Sequence, residues 1–520
     1  MHAYTLAPEH PFCFAQEQFN QIVDLLSSPD ALVMEHGDIE AMLKVEGFEL
    51  LRRLMQDHLD LRTVRESKRE VIGAEGIVRT QTRATHRQLE TLFGTVIVGR
   101  LGYGKPGVAR LHPLDAELNL SPDLYSHGVR RRVGEEVAKT SFDEVVASLA
   151  TTTGASVPKR QTEQLAVRAA VDFDAFYARR RMLDATAETP RDPIVVISAD
   201  GKGVVMRMQD LREATRKAAA ARTHKKRTRL SRGEKRHAKR MATVASVYTI
   251  APWPRLPEEI VRELHPVREV SSARPKPVRK RVWASLEQPA THVIGAAFEE
   301  AARRDPERTK TWVALVDGNK PQLAAFKAAA RRYGIALTII VDLIHVLEYL
   351  WRAAHVFHGP DSEESQVWVS QRLLAILQGR SPHVAAGLRR SATLRGFSAD
   401  TRVAVDDCAD YLHDYRPYLH YDQYLAAGLP IATGVIEGAC RHLVKDRMDV
   451  TGARWSLAGA EAVLKLRSLH ASGDFEEYWR FHQAQERQRN HTTQYIDGQI
   501  PIEQPAGLRS ERDSHLWLIE

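Results

Sequence analysis

The sequence predicts an α/β fold with a large helical share, and three observations carry that expectation. Three apolar runs each finish on an aspartate: Ile194 to Asp200, Trp312 to Asp317, and Ala336 to Asp342. Amphipathic helical stretches lie between and after these runs, the alternation that produces a sheet covered by helices. Ahead of them the chain reads as mainly helical, with one short region of strand periodicity. The 520 residues, 43% of them hydrophobic, supply enough apolar surface for more than one packed domain.

Taken in order, residues 15–70 repeat apolar side chains at three and four, as in Phe19 to Leu26 and Met42 to Leu54, which predicts amphipathic helices. The run Thr91 to Tyr103 alternates and carries glycine breaks, which predicts a strand or hairpin. Leu111 to Leu120 reads as a loop. Residues 124–178 return to helical periodicity. Ser141 with Glu144 three positions later is a capping-box start. That helix ends near Thr151, a turn containing Gly154 follows, and a second helix opens on Lys159 and Arg160. The pattern fits a DNA-reading helix-turn-helix and equally an ordinary helical hairpin.

Residues 184–192 read as a polar linker. Beyond it, a strand over 194–199 is expected to deliver Asp200, with Gly201 to Gly203 as a turn and a basic helical segment over 209–240. A second strand is expected over 241–250, and residues 252–281, rich in proline and arginine, read as an exposed connection. Helices over 290–304 and 320–333 precede the strands that end on Asp317 and Asp342. Residues 343–425 contain no good strand pattern and read as all-helical. A helix carrying Glu437 and an amphipathic stretch to about residue 475 follow, then a polar, loosely ordered tail. The expected division is therefore 1–125, 126–185, 186–342, 343–425, 426–475 and 476–520.

The formal net charge of +8 favours polyanionic partners. Three separated cysteines, Cys13, Cys408 and Cys440, form no Cys-x-x-Cys pair, which argues against a zinc ribbon and suits a reducing cytosol. The first residues lack the basic and apolar regions of a signal peptide, and no apolar run reaches the roughly 18 residues of a membrane helix.

Strands that finish on acids gather those acids at one rim of a sheet. Carboxylates from separate elements suffice to hold Mg²⁺ or Mn²⁺, and a pair of such ions acts on phosphodiesters by activating one oxygen and stabilising another. The candidates are Asp200 and Asp317, with Glu437 reaching the same rim from a helix. Each is equally describable alone as a turn or capping acid. Asp342 and His345, one helical turn apart, read as a supporting pair or as a cap beside a packed histidine. The segment containing Arg222, Lys225, Lys226, Arg227, Arg229, Arg232, Lys235, Arg236, Lys239 and Arg240 is opposed there only by Glu234. Such density points to phosphate contact. Arg130 to Arg132 and Lys276 to Arg281 add cationic surface. Arg441, Lys445 and Arg454 lie just beyond Glu437 and are further candidates for DNA contact. Trp455 reads as a stacking ring or as core.

The segments Ser198 to Gly203, Val316 to Lys320, Val341 to Trp351 and Thr433 to Arg441 together resemble DDE transposases of bacterial insertion sequences. The nearest resemblance is to the ISKra group, and more distantly to Mutator-like transposases. Thr91 to Val96 and Leu114 to Leu118 extend it towards the N-terminus. The resemblance implies an RNase H-like core interrupted by an all-helical insertion, with a mainly helical DNA-binding region ahead of it. It implies Asp200, Asp317 and Glu437 as ligands of two metal ions, and matches Asp342 and His345 to the Cys/Asp-x-x-His signature of the Mutator-like relatives. It further implies binding to terminal inverted repeats and target DNA, a homodimer or larger synaptic assembly, and a cytoplasmic, nucleoid-associated bacterial setting. An RNase H-like nuclease without strand transfer and a non-catalytic, transposase-derived DNA-binding protein are the alternatives.

Overall fold

Five strands form the central sheet: β4 (Ile194–Val205), β5 (Lys239–Ile250), β6 (Val278–Ser285), β7 (Thr311–Val316) and β8 (Leu337–Val341). Their order across the sheet is β6-β5-β4-β7-β8. β4, β5 and β6 run antiparallel, and β7 and β8 run parallel to β4. Three meandering strands continued by two parallel crossover strands make an RNase H-like sheet, as expected. The computed structural model describes residues 11–183, 192–221, 239–263, 274–360, 362–450 and 453–502. The chain divides into two units, residues 170–478 and residues 1–169 with 479–520.

In the unit that carries the central sheet, β4, β7 and β8 are short on polar residues because helices cover them. The helix Ala290–Arg304 contributes Val293, Ile294, Ala297 and Phe298, all buried. Lys320–Tyr333 contributes Phe326 and ends on Gly334 in the left-handed conformation. Both helices fall where the amphipathic pattern puts them. After β8 come the helices Leu343–Phe357, Glu363–Leu377, Ser381–Leu394, Ala399–Asp414 and Tyr421–Ala426, with no strand among the described residues of this stretch. The expected all-helical insertion is thus present. Its tyrosines cap the free edge of the sheet: Tyr421 Oη donates to the carbonyl of Val341 at 2.7 Å and Tyr424 Oη to that of Ile339 at 3.4 Å. An edge strand with unanswered carbonyls invites pairing with another chain, and these hydroxyls cover it.

Three readings of this region need correction. β4 does not stop before Asp200. It is 12 residues long, runs on to Val205 and pairs Asp200 with Val244. Gly201 and Gly203 are strand residues, not a turn: a Cβ at Gly201 would meet Met241 Cε at 3.1 Å, and one at Gly203 would meet Lys239 Cδ at 3.0 Å. The glycines leave room for long neighbours on β5. Secondly, the proline- and arginine-rich connection contains the helix Pro257–Glu263 and the first four residues of β6. The basic run hid this strand because Arg281 is buried. Its guanidinium binds Glu300 at 2.9 Å and lies over Tyr177 and Trp283. Thirdly, the segment expected to be helical over 209–240 holds the helix Glu213–Ala220, and Lys239 and Arg240 belong to β5. Arg222, Lys225, Lys226, Arg227, Arg229, Arg232, Lys235 and Arg236 lie outside the described residues.

In the other unit, helices Cys13–Leu26 and His36–Arg65 precede a sheet of β1 (Gln81–Thr91), β2 (Gly94–Lys105) and β3 (Val108–Leu111). The helices Pro113–Glu117, His127–Val137, Phe142–Thr152 and Lys159–Ala169 follow. The capping box at Ser141 and Glu144 is formed. Pro113–Glu117 replaces part of the expected loop. The expected loose tail is instead helical through Asn490, and Tyr495 packs against Val71, Tyr103, Leu111 and Ala116. Arg130 is not surface charge: it is 1% exposed and makes two 2.5 Å bonds to Glu486. A buried guanidinium must be paired, and the C-terminal helix supplies the carboxylate.

Glu300 is the most heavily committed acid of the central sheet's unit. Burial opposes its ionisation, yet Arg281, Arg304 and Arg303 outweigh burial and hold its carboxyl well below the usual carboxylate range. Glu300→Gln is expected to cost about 3–5 kcal/mol of stability at pH 7. Because the folded pKa is depressed, this contribution is complete above the ordinary value of about 4.3 and fades as pH falls from there towards the folded pKa. Urea melts of both proteins should therefore show a narrower gap at pH 3.5 than at pH 7. An equal gap at both would contradict the assignment.

Candidate active site

The parallel ladders set the site. β4 and β7 pair through Ser198 opposite Leu315, so two further residues bring Asp200 level with Asp317. β7 and β8 pair through Val316 opposite Val341, so one more brings Asp317 level with Asp342. The three aspartates stand side by side on adjacent strands at the C-terminal edge of the parallel ladder, the end where open α/β sheets place their ligand sites. They differ in exposure. Asp342 is fully buried, while Asp200 and Asp317 are half-buried.

Asp342 is the N-cap of the helix Leu343–Phe357 and accepts the amide of Ile344 at 3.0 Å. It also accepts the amide of Thr433 at 3.3 Å and the Thr433 hydroxyl, and it faces His345 Nδ1 at 3.3 Å. Four partners occupy the acceptor capacity of its two oxygens. The hydrogen bond to Asp342 raises the pKa of His345 against the effect of burial, and the charge of Asp317 adds to it.

Thr433 is the residue from which the helix Gly434–Ala439 starts, and its hydroxyl lies 3.4 Å from Glu437 Oε1. Burial first, then the charge of Asp342, pushes the Glu437 carboxyl above its ordinary pKa. One turn later Cys440 Sγ donates to Asp200 Oδ2 at 3.2 Å. Burial, then the Asp200 charge, pushes that thiol up, and Glu437 contributes. The short helix therefore reaches Asp342 at its start and Asp200 near its end. From Cys440 to Lys445 it widens into a π-turn, a form that concentrates at functional sites.

Asp317 is held by its backbone. Its Oδ1 accepts from the amide of Asn319 at 2.8 Å. Tyr411 Oη donates to the Asp317 carbonyl at 3.1 Å, and Tyr415 Oη to the carbonyl of Gly318. Gly318 has φ +91°, and a Cβ there would meet Tyr411 and Tyr415 atoms at 3.0–3.2 Å. Tyr349 stacks on Tyr411 at 4.1 Å. The insertion thus clamps the loop that follows β7.

Among the described residues, the ligand atoms that come within 4.8 Å of one another belong to Asp342, His345 and Glu437. Asp200 and Asp317 do not join that compact group. Its chemistry is that of an organising hub, because the Asp342 oxygens are already spoken for within the chain. Among the described residues, Asp317 Oδ2 and Glu437 Oε2 accept no hydrogen bond. Negative charge crowded at a partly desolvated rim, raising Glu437, is the setting a divalent cation relieves, so the donor set fits a hard metal ion. Thr433, Cys440, Tyr411 and Tyr415 were not singled out as site residues from the sequence. Thr433 and Cys440 lie inside the motif around Glu437. The tyrosines had no sequence signal.

The surrounding cations divide. Arg441, Lys445 and Arg454 are exposed, with Arg441 at 3.7 Å from Asp446. Lys239 is exposed, but Arg240 donates to the carbonyls of Leu286 and Asp210. Trp455 is core: it is buried, its indole donates to Met448, and Arg447 lies over its ring.

No family model and no curated protein matches this chain. Among solved structures it is similar to a chain of the Drosophila P element transposase strand transfer complex, with 9% identity and a TM-score of 0.23. That match covers 71% of this chain and 82% of the other. At that score the likeness carries no argument, and the assignment of the fold rests on the strand order itself.

Gly318→Ala is expected to push the loop off its tyrosine clamp at a cost of about 1–3 kcal/mol. A urea melt followed by tryptophan fluorescence measures this, and an unchanged midpoint would show that the clamp does not constrain the loop.

Proposed function

We propose that the protein is a DNA transposase of the DDE type, similar to the ISKra group, that binds element ends and carries out metal-dependent DNA cleavage and strand transfer. The observation that carries this reading is the levelling of Asp200 with Asp317 on an RNase H-like sheet, with Glu437 brought to the same rim by a separate helix. The resemblance of the four motifs supports it independently. No helix among the described residues is long and apolar enough to cross a membrane.

In this reading Asp200, Asp317 and Glu437 hold two Mg²⁺ or Mn²⁺ ions, with Asp342 and His345 in support. Bound ions supply the charge that activates an attacking oxygen and stabilises a leaving one. The chain's own contribution is placement and charge. Thr433, fixed by Asp342, sets the height of Glu437. Tyr411 and Tyr415 fix the loop of Asp317. Arg441, Lys445 and Arg454 take DNA phosphates beside the rim, and Lys239 and the basic segment 222–238 add phosphate contacts. The reaction needs no covalent enzyme intermediate. Hydrolysis frees a 3′-hydroxyl, and that hydroxyl then replaces a target phosphodiester bond with a new one. The helix-turn-helix region reads the inverted repeats, and a homodimer or larger assembly brings two ends together.

The test is incubation of the full chain with Mg²⁺, duplex DNA carrying the inverted repeats that flank its coding region, and a supercoiled target. Joined products are expected, falling to background in Asp317→Ala and in Glu437→Gln. Thr433→Val should reduce activity by about 10–100-fold, the usual effect of removing a partner that orients a ligand. Nicks without joined products would assign an RNase H-like nuclease. DNA binding with no product under any metal would assign a non-catalytic binding protein. Wild-type activity in Asp317→Ala would sink the reading altogether.

A further inference from the structure

The helical insertion contains a cavity that the rim does not use. Its volume is about 620 Å³, and Phe357, His358, Trp368, Arg372, Leu394 and Arg395 line it. The floor is aromatic: Phe357 and Trp368 lie 5.4 Å apart at 31°. A guanidinium covers each ring, Arg372 at 4.1 Å over Trp368 and Arg395 at 5.0 Å over Phe357.

These two guanidiniums differ from those of the ion-paired arginines. Arg130, Arg281 and Arg304 each bind a carboxylate directly. Arg372 and Arg395 reach only neutral acceptors: the Trp368 carbonyl at 3.2 Å and the Gln371 side chain for the first, the Phe357 carbonyl for the second. Among the described residues no carboxylate lies within 4.0 Å of either guanidinium. Burial, and then the charge of Arg395, lowers the pKa of Arg372, so the two cations feel one another. Glu363 and Glu364 also line the cavity, so the anion site is the guanidinium pair and not the cavity as a whole.

A second hollow of about 350 Å³ shares Trp368, Gln371, Arg372 and Ser391 with the first and adds Arg380 and His383. The two hollows adjoin across these shared residues, and together they offer more room than one small anion requires. Exposed Val367 and Leu394 supply apolar edges beside the first hollow. Arginines on aromatic rings, without a carboxylate partner among the described residues and flanked by apolar side chains, match a group that is flat at one end and anionic at the other. Bases stack on aromatic faces and on guanidinium planes, and phosphates bridge guanidiniums.

We propose that these adjoining hollows receive an unstacked nucleotide of a DNA strand, its phosphate at Arg372 and Arg395 and its base against the guanidinium and aromatic layers. The inference rests on the reading that the protein works on DNA and adds to it a place for an unpaired end. It gives the helical insertion a ligand-binding role distinct from its clamping of Asp317.

Fluorescence anisotropy on the full chain tests this with three probes: a duplex with a single-stranded overhang, a blunt duplex of the same sequence, and free deoxynucleoside monophosphate as competitor. Arg372→Gln/Arg395→Gln is expected to weaken overhang binding about tenfold and to leave blunt-duplex binding unchanged. Arg395→Gln alone, at an exposed position, keeps the test available if the double variant melts early by circular dichroism, and it should show the same selective loss. Equal overhang affinity in wild type and variants would overturn the proposal. Parallel loss on overhang and blunt DNA would also overturn it, since that is general phosphate attraction. Overhang binding that an excess of the free nucleotide leaves unaffected would overturn the nucleotide as occupant. Failure of the reading that the protein works on DNA looks different: the wild type would then bind none of the DNA probes.

Discussion

The carboxylate of Asp342, with no exposure to solvent, needs donors for each of its oxygens, and the chain answers from two directions. The helix that begins at Asp342 returns the amide of Ile344 and the ring of His345, while Thr433, far along the sequence, returns both its amide and its hydroxyl. A buried carboxylate left unanswered costs several kcal/mol, on the order of the stability of a domain. The requirement therefore ties the end of β8 to the start of the helix that carries Glu437, across the whole helical insertion. With Thr433 fixed, Glu437 is at the rim and Cys440 is against Asp200. The position of the distant glutamate follows from satisfying one buried acid.

The sheet and the insertion complete that arrangement from opposite sides. Register places Asp200, Asp317 and Asp342 level without any direct bond among them. The insertion then holds the loop after β7 by two tyrosine hydroxyls and the edge strand by two more. The insertion is therefore part of the scaffold of the rim. Removing it would leave edge carbonyls open and the Asp317 loop unheld.

Much of this was legible in the sequence, for a physical reason. β7 is buried along almost its whole length and β8 at its end, so both read as apolar runs, and their terminal acids stand out. The helices over 290–304 and 320–333 have one apolar face each and were equally plain. Three features were not legible because a side chain's partner was distant in sequence. β6 looked like an exposed basic stretch until Arg281 was seen buried on Glu300. Arg130 looked like surface charge and the C-terminal segment looked loose because their pairing within one unit, through Glu486, joins residues far apart in sequence. Gly201 and Gly203 looked like a turn because glycine signals both a turn and a crowded strand, and only the neighbours on β5 decide which. That Asp342 is an organising hub follows from Thr433, which local sequence context does not pair with it.

The account stands on the claim that Asp200, Asp317 and Glu437 form one cation-holding rim. Its most direct test is Mn²⁺ binding to the full chain, followed by the loss of the free-ion electron paramagnetic resonance signal. The wild type should take up Mn²⁺, and Asp200→Asn, Asp317→Asn and Glu437→Gln should each weaken that uptake while melting like the wild type. Uptake unchanged in all three folded variants would contradict the account.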